Sequence, residues 1–266
     1  MKAEATNPGR ASPLKRIMGA GAIAALGLLL AACILMPGKF ASSLDLARDG
    51  RFSFSYKGEI HFVSPSQLDD KKEGEDTKPA GKDAEAAQME AMMGGMNLSE
   101  PKTAEEFARK LARQNGWRSV KSMGNGQFDV DYAISGTLTH DFTFPVIDGL
   151  PQAAPFVQVI RRSDGSVRVN APAFSSGADG SPLRNFARMG AMEEANKGAD
   201  KGASTGKSKG PKLPVLDGPF AVSTDGTILA NNTDEGPQAS ANGSLMSWTV
   251  NDRTESAPSA LIGLSK

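Results

Sequence analysis

The chain has one cysteine and two histidines in 266 residues. A single thiol forms no intrachain disulfide, and two imidazoles cannot build a multi-histidine zinc site. An excess of charge of either sign is also missing, since 30 Lys and Arg balance 30 Asp and Glu. General nucleic-acid binders carry a basic face, so the composition argues against nucleic acid as a partner. Aromatics are scarce at 6%, and apolar residues reach only 39%, which is lean for a packed globular chain. Glycine and proline are plentiful, at 29 and 16, a sign of many turns and of low-complexity stretches.

The N-terminus carries the strongest positive signal. Residues 1–16 are polar and end in Lys15-Arg16, and residues 17–36 hold no charge. A basic flank followed by an apolar run reads as an export signal. The run contains Leu30-Ala31-Ala32-Cys33, which resembles the lipobox of bacterial lipoproteins. The resemblance implies that residues 1–32 are a signal peptide and that the Cys33 thiol takes a diacylglyceryl group. Cleavage before Cys33 would then leave the protein anchored in the cell envelope, facing the periplasm or the exterior. Ile34 rather than Asp follows the cysteine, which in a Gram-negative cell favours the outer membrane. The alternative keeps residues 17–36 as a single membrane helix, since about 20 apolar positions span a bilayer. Lys15 and Arg16 would then stay cytoplasmic. Cleavage would remove Lys2, Glu4, Arg10, Lys15 and Arg16, leaving 26 basic and 29 acidic residues. Such a balance gives anionic headgroups nothing to attract, so the lipid would have to hold the protein.

Beyond the anchor, strand-like blocks alternate with low-complexity stretches. Residues 33–63 comprise the lipidated cysteine and a first hairpin. Phe40, Ser42, Leu44 and Leu46 share one face, Asp49-Gly50 turns the chain, and Phe52, Phe54, Tyr56, Ile60 and Phe62 return, with a bulge near Gly58. Residues 64–102 are rich in Asp, Lys, Glu and Gly without an aromatic, and read as a disordered insertion. Residues 103–174 read as an α+β core. Thr103 and Glu106 have capping-box spacing, and Phe107, Ala108 and Leu111 form the inner face of a helix that stops at Asn115-Gly116. Strands follow at 117–123, from Phe128 to Ile134, from Leu138 to Phe144, and in a hairpin around Asp164-Gly165. Residues 175–213 read as a second disordered insertion. Residues 214–266 supply C-terminal strands of the same domain, with turns at Asp225-Gly226 and Asn242-Gly243. The expected fold class is α+β: one mainly antiparallel sheet with one principal helix, interrupted by two low-complexity insertions.

The succession of Cys33, the Asp49-Gly50 hairpin, a helix and sheet, Asp225-Gly226-Thr227-Ile228-Leu229, then Asn242-Gly243 and Trp248-Thr249-Val250 resembles the LppM-type bacterial envelope lipoproteins. The resemblance implies a short α+β envelope domain with a lipid- or glycolipid-binding face, and it carries over no binding residue. This chain departs from that family in its two long insertions and in the lack of a membrane-length apolar run after Leu264.

Candidate chemistry is sparse. Gly202 to Ser208 imitates a phosphate loop, but only three residues separate Gly202 from Gly206 where four are needed. His61 and His140 sit on strands, and Asp141 next to His140 could serve acid–base work, yet no nucleophile motif accompanies them. Asp129 and Asp131 share a strand face, too few oxygens for calcium. Met89, Met92, Met93, Met96, Met189 and Met192 lie at helical spacings and suit docking or Cu(I); docking or plain disorder is the simpler reading. Sequons at Asn97, Asn231 and Asn242 are chance matches in a bacterial lipoprotein. The sequence thus reads as a non-enzymatic envelope protein without catalytic residues, metal or cofactor, anchored through Cys33 and its lipobox Leu30, Ala31 and Ala32. It would bind a lipid or envelope component through an antiparallel sheet whose strands carry Phe52, Phe54, Tyr56, Phe142 and Phe144. The alternative is a scaffold that contacts a protein partner through the methionine helices. Oligomeric state stays open.

Overall fold

A computed structural model describes residues 34–63, 98, 100–148, 150, 154–177 and 213–264. Lipobox residues Leu30, Ala31, Ala32 and Cys33, the methionine clusters, the imitation phosphate loop and nearly all of both proposed insertions lie outside the described residues. The described chain forms strands β1 (Ile34–Leu46), β2 (Arg51–Val63), β3 (Trp117–Gly124), β4 (Gln127–Thr137), β5 (Phe142–Phe144) and β6 (Val157–Arg161). These are followed by β7 (Ser166–Asn170), β8 (Asp217–Thr224), β9 (Thr227–Asn231), β10 (Gln238–Ser240), β11 (Gly243–Asn251) and β12 (Ser259–Gly263). One α-helix, α1 (Pro101–Leu111), and a single 3-10 turn at Pro172–Phe174 complete the set.

These strands make two sheets, which overturns the expected α+β class. The larger has seven strands in the order β10-β11-β8-β1-β2-β4-β3, and the smaller has five in the order β5-β6-β7-β12-β9. Every neighbouring pair is antiparallel except β1 and β8. The protein is predominantly β. The physical reason is that the second sheet, not a helix, closes the core. Phe54 and Tyr56 of β2 meet Phe144 of β5 at ring-centroid distances of 5.2 and 5.0 Å. Phe40 of β1 stacks on Phe174 at 4.2 Å, and Val159, Val169 and Ile262 of the smaller sheet join the same buried cluster.

Two of the expected continuities break at the corners between sheets. The strand read from Leu138 to Phe144 shortens to β5 at Phe142–Phe144, because β4 leaves the larger sheet after Thr137 and β5 begins the smaller one. Asp225-Gly226 does reverse the chain, but β8 and β9 do not pair, because they belong to different sheets. Arg48 clamps that corner, its backbone N–H and guanidinium donating to the Asp225 carboxylate at 2.6 and 3.1 Å.

Helix α1 covers only one end of the larger sheet, where Phe107 meets Phe62 and Phe128 edge-on at 5.1 and 5.4 Å. The expected capping box does not form. Pro101, which has no N–H to satisfy, takes the first turn, two residues upstream of the expected start. Thr103 therefore lies inside the helix, and its hydroxyl donates to the Glu100 carboxylate at 3.2 Å.

The larger sheet owes its two unlike faces to alternation. Leu44, Leu46, Phe54, Tyr56, Phe128, Val130, Phe220, Val222, Met246 and Val250 point inward and are buried. Two irregularities reset the alternation. In β1 one extra residue lies between Pro37 and Phe40, opposite Gly58, so Leu35 before it and Phe40 after it both reach the core. The bulge therefore belongs to β1, with Gly58 facing it at φ +146°. In β3 the register slips between Trp117 and Ser119, which lets Trp117 and Val120, of opposite parity, both pack inward.

Candidate functional site

Toward the β1–β2 turn, the outward residues of β1, β2 and β4 are short and polar. Ser43 of β1 faces Ser55 of β2, Asp45 faces Ser53, Ser53 faces Ser135 of β4, and Ser55 faces Ala133. Because serine and alanine reach only a little above the strands, the backbone floor stays open. A hollow of about 320 Å³ results, lined among others by Ser43, Asp45, Ser53, Ser55, Arg118 and Ser135.

The polar groups there are connected. The Ser43 and Ser55 hydroxyls stand 2.9 Å apart. Ser53 donates to the Asp45 carboxylate at 3.1 Å, and Ser223 of β8 donates to its other oxygen. Arg118 belongs to the slipped segment of β3, an irregularity of the kind that re-aims a side chain. It is exposed, and it has no hydrogen-bond or ion-pair partner among the described residues. The hollow thus offers one unpaired cation, one carboxylate and a row of hydroxyls. Among the described residues neither His nor Lys lines it, and its hydroxyls, carboxylate and guanidinium suit hydrogen bonding and charge pairing.

The residues singled out from sequence are scattered. His61 sits on the outward face of β2, its Nε2 3.4 Å from Glu59 Oε2. His140 lies beyond the far end of β4 with its Nδ1 3.0 Å from the Thr139 hydroxyl, and Asp141 accepts the Arg161 N–H at 2.9 Å. His61 is in register with Gln127 and His140 follows Thr137, so the length of β4, about 33 Å at 3.3 Å per residue, separates them. Asp129 and Asp131 face outward opposite Lys121 and Ser119 on one side and Glu59 and Lys57 on the other. This is a mixed-charge ladder. Among the described residues, no group of three or more His, Cys, Asp or Glu could hold a metal.

The aromatics expected to offer a binding face are core. Phe54, Tyr56 and Phe144 are at most 1% exposed, and Phe52 and Phe142 pack against the same cluster. Burial holds the Tyr56 phenol well above its ordinary value, with the nearby Glu59 adding to the effect, and its hydroxyl donates to the Glu59 carbonyl at 2.8 Å. What the sequence reading missed is the serine hollow. Its signal was the Ser43, Ser53 and Ser55 alternation between the aromatics.

No family model matches this chain, and no curated protein matches it. Among solved structures, the chain is similar to the NMR structure of the folded domain of LppM from Mycobacterium tuberculosis, with 14% identity and a TM-score of 0.32 over 88% of this chain and 93% of that one.

Proposed function

We propose that this chain is an exported, lipid-anchored envelope protein that acts by binding rather than by catalysis. Its outward serine face would hold a lipid headgroup or another hydroxyl-rich envelope component. The observation that carries the binding reading is the contrast between the faces of the larger sheet. Phe54, Tyr56 and Phe144 are buried and Phe52 and Phe142 pack against the same core, whereas the open side presents hydroxyls, Asp45 and an unpaired Arg118. The ligand recognised there is polar.

Strand β1 supports the lipid anchor over the membrane helix. It starts at Ile34, and Leu35 and Met36 are buried in the protein, so these residues are withdrawn from the uncharged run. Residues 17–33 remain for a span, about 25 Å of helix at 1.5 Å per residue, against roughly 30 Å of hydrocarbon.

The test is intact mass of the protein purified from its native membrane, beside Cys33→Ala and Arg118→Glu. The expected result is residues 33–266 plus acyl chains, lost in Cys33→Ala. A copurified polar lipid or glycan should fall at least fivefold in Arg118→Glu, with the melting temperature unchanged. Mass of the uncut, unacylated chain would overturn the anchor, and full ligand occupancy in Arg118→Glu would overturn the binding face.

A further inference from the structure

The end of the larger sheet that begins at Ile34 carries exposed apolar side chains on both flanks of β1. Cys33 is bonded directly to Ile34, the first residue of β1, so no linker separates an acylated cysteine from the sheet. Ile34 pairs with Val63, and the adjacent Phe62 donates its N–H to the Gly126 carbonyl at 2.8 Å. The β3–β4 turn therefore sits two strands from Ile34, about 10 Å at the usual 4.8 Å spacing. That turn, residues 122–128, carries no charge, and Met123 on it is 61% exposed. On the other flank of β1, Leu213 packs on Met36 and Val63. Val215, two residues on, is 57% exposed, just before Asp217 pairs with Lys39. Two of the four large, exposed apolar side chains among the described residues thus bracket the end that holds the anchor. Charges flank both ends, Arg48, Asp49, Arg51 and Asp225 at the far one, and Asp217, Asp252, Arg253 and the exposed side of α1 at the near one.

We propose that the Met123 turn and Val215 form a membrane-contact rim, which the lipid on Cys33 presses against the bilayer surface, leaving the Asp49 end farthest from it. The rim rests on the lipoprotein reading above. With no linker, the anchor fixes which end of the domain meets the membrane, and exposed Met and Val at that end gain burial at the headgroup boundary. An uncharged turn loses no ionic hydration there.

The test uses the full lipidated chain in vesicles of phosphatidylcholine and phosphatidylglycerol with brominated acyl chains. Acylation occupies the only native thiol, so Met123→Cys, Val215→Cys and Thr137→Cys each accept a fluorophore at one place. Thr137 is exposed at the far end of β4. Quenching several-fold stronger at positions 123 and 215 than at 137 is the expected result. Equal quenching at all three overturns the rim. Shielding from aqueous iodide without quenching by bromolipid marks a protein contact, such as a second copy, and overturns it too. Intact mass of the same sample separates the two failures. Acylated but unquenched protein overturns only the rim, whereas unacylated protein overturns the lipoprotein reading beneath it.

Discussion

The two faces of the seven-stranded sheet are built from alternate residues of the same strands, yet they do opposite work. On β2, Phe54 and Tyr56 are sealed against Phe144 of the second sheet, while Ser53 and Ser55 line an open hollow. The inner face holds the fold together through area removed from water. The outer face contributes little burial and is free to carry recognition. A chain with only 6% aromatics sustains a core because it spends nearly all of them on one side.

The largest expected effect tests that division directly. Phe144→Ala removes a ring that touches Phe54, Tyr56, Trp117, Tyr132 and Phe156, and should cost about 3–5 kcal/mol in urea unfolding. Ser55→Ala, on the same sheet's other side, should stay within about 0.5 kcal/mol. Equal losses would break the comparison. Gly58→Ala should come next. The residue's φ of +146° disfavours a side chain, and an added Cβ would strike the Lys39 carbonyl across the β1 bulge. A loss of about 1–3 kcal/mol is expected, read from the same unfolding curves.

How far the sequence foretells this arrangement depends on the kind of signal. Phe40, Leu44 and Leu46, then Phe52, Phe54 and Tyr56, and Met246, Trp248 and Val250 announce the inner face by simple alternation, because a strand's side chains must alternate. Asp225-Gly226 announces a reversal but not its destination: a turn fixes the chain's direction locally, and whether β9 joins β8 or crosses to β12 is decided by what must be covered. For the same reason the break at Leu138 between β4 and β5 was unreadable, and one sheet was expected where two exist. The capping spacing of Thr103 was outweighed by Pro101 two residues earlier. The serines of the hollow were visible as polar alternates. Their assembly with Arg118 was not, since it needs the strand order β1-β2-β4-β3 and the slip in β3. Cys33 is legible through its local motif, Leu30-Ala31-Ala32-Cys33, which needs no tertiary contact to be seen.

A smaller effect separates the faces by pH. Burial raises the Tyr56 phenol well above its ordinary value of 10.0, and burial raises Tyr132 as well. An unfolded chain loses these protons near pH 10, whereas the folded chain keeps them. The stability from keeping them neutral is therefore complete below pH 10 and is lost as pH climbs through the folded values. Tyr56→Phe should cost about 1 kcal/mol at pH 7, through the bond to the Glu59 carbonyl. It should also flatten the alkaline fall in melting temperature, leaving the part due to Tyr132. An unchanged alkaline slope would mean that the inner face is wetter than its packing indicates.

The smallest effect lies at the exposed corner that joins the sheets. Asp225 accepts the Arg48 N–H, and with the Arg48 guanidinium this holds its carboxyl below the ordinary value of 3.8. A lowered folded value contributes stability above the unfolded value and loses it as pH falls through the folded one. Asp225→Asn should therefore melt slightly below the parent at pH 7, with the gap closing below pH 4 and shrinking in high salt, as screening of an exposed pair requires. Both residues are about half exposed, with side-chain exposures of 57% and 41%, so the gap should be far smaller than that of Phe144→Ala. A gap that persists at pH 3 would show that the corner acts through the shape of its turn rather than through charge. The division between a face that stabilises and surfaces that do not would then need redrawing at the seam between the two sheets.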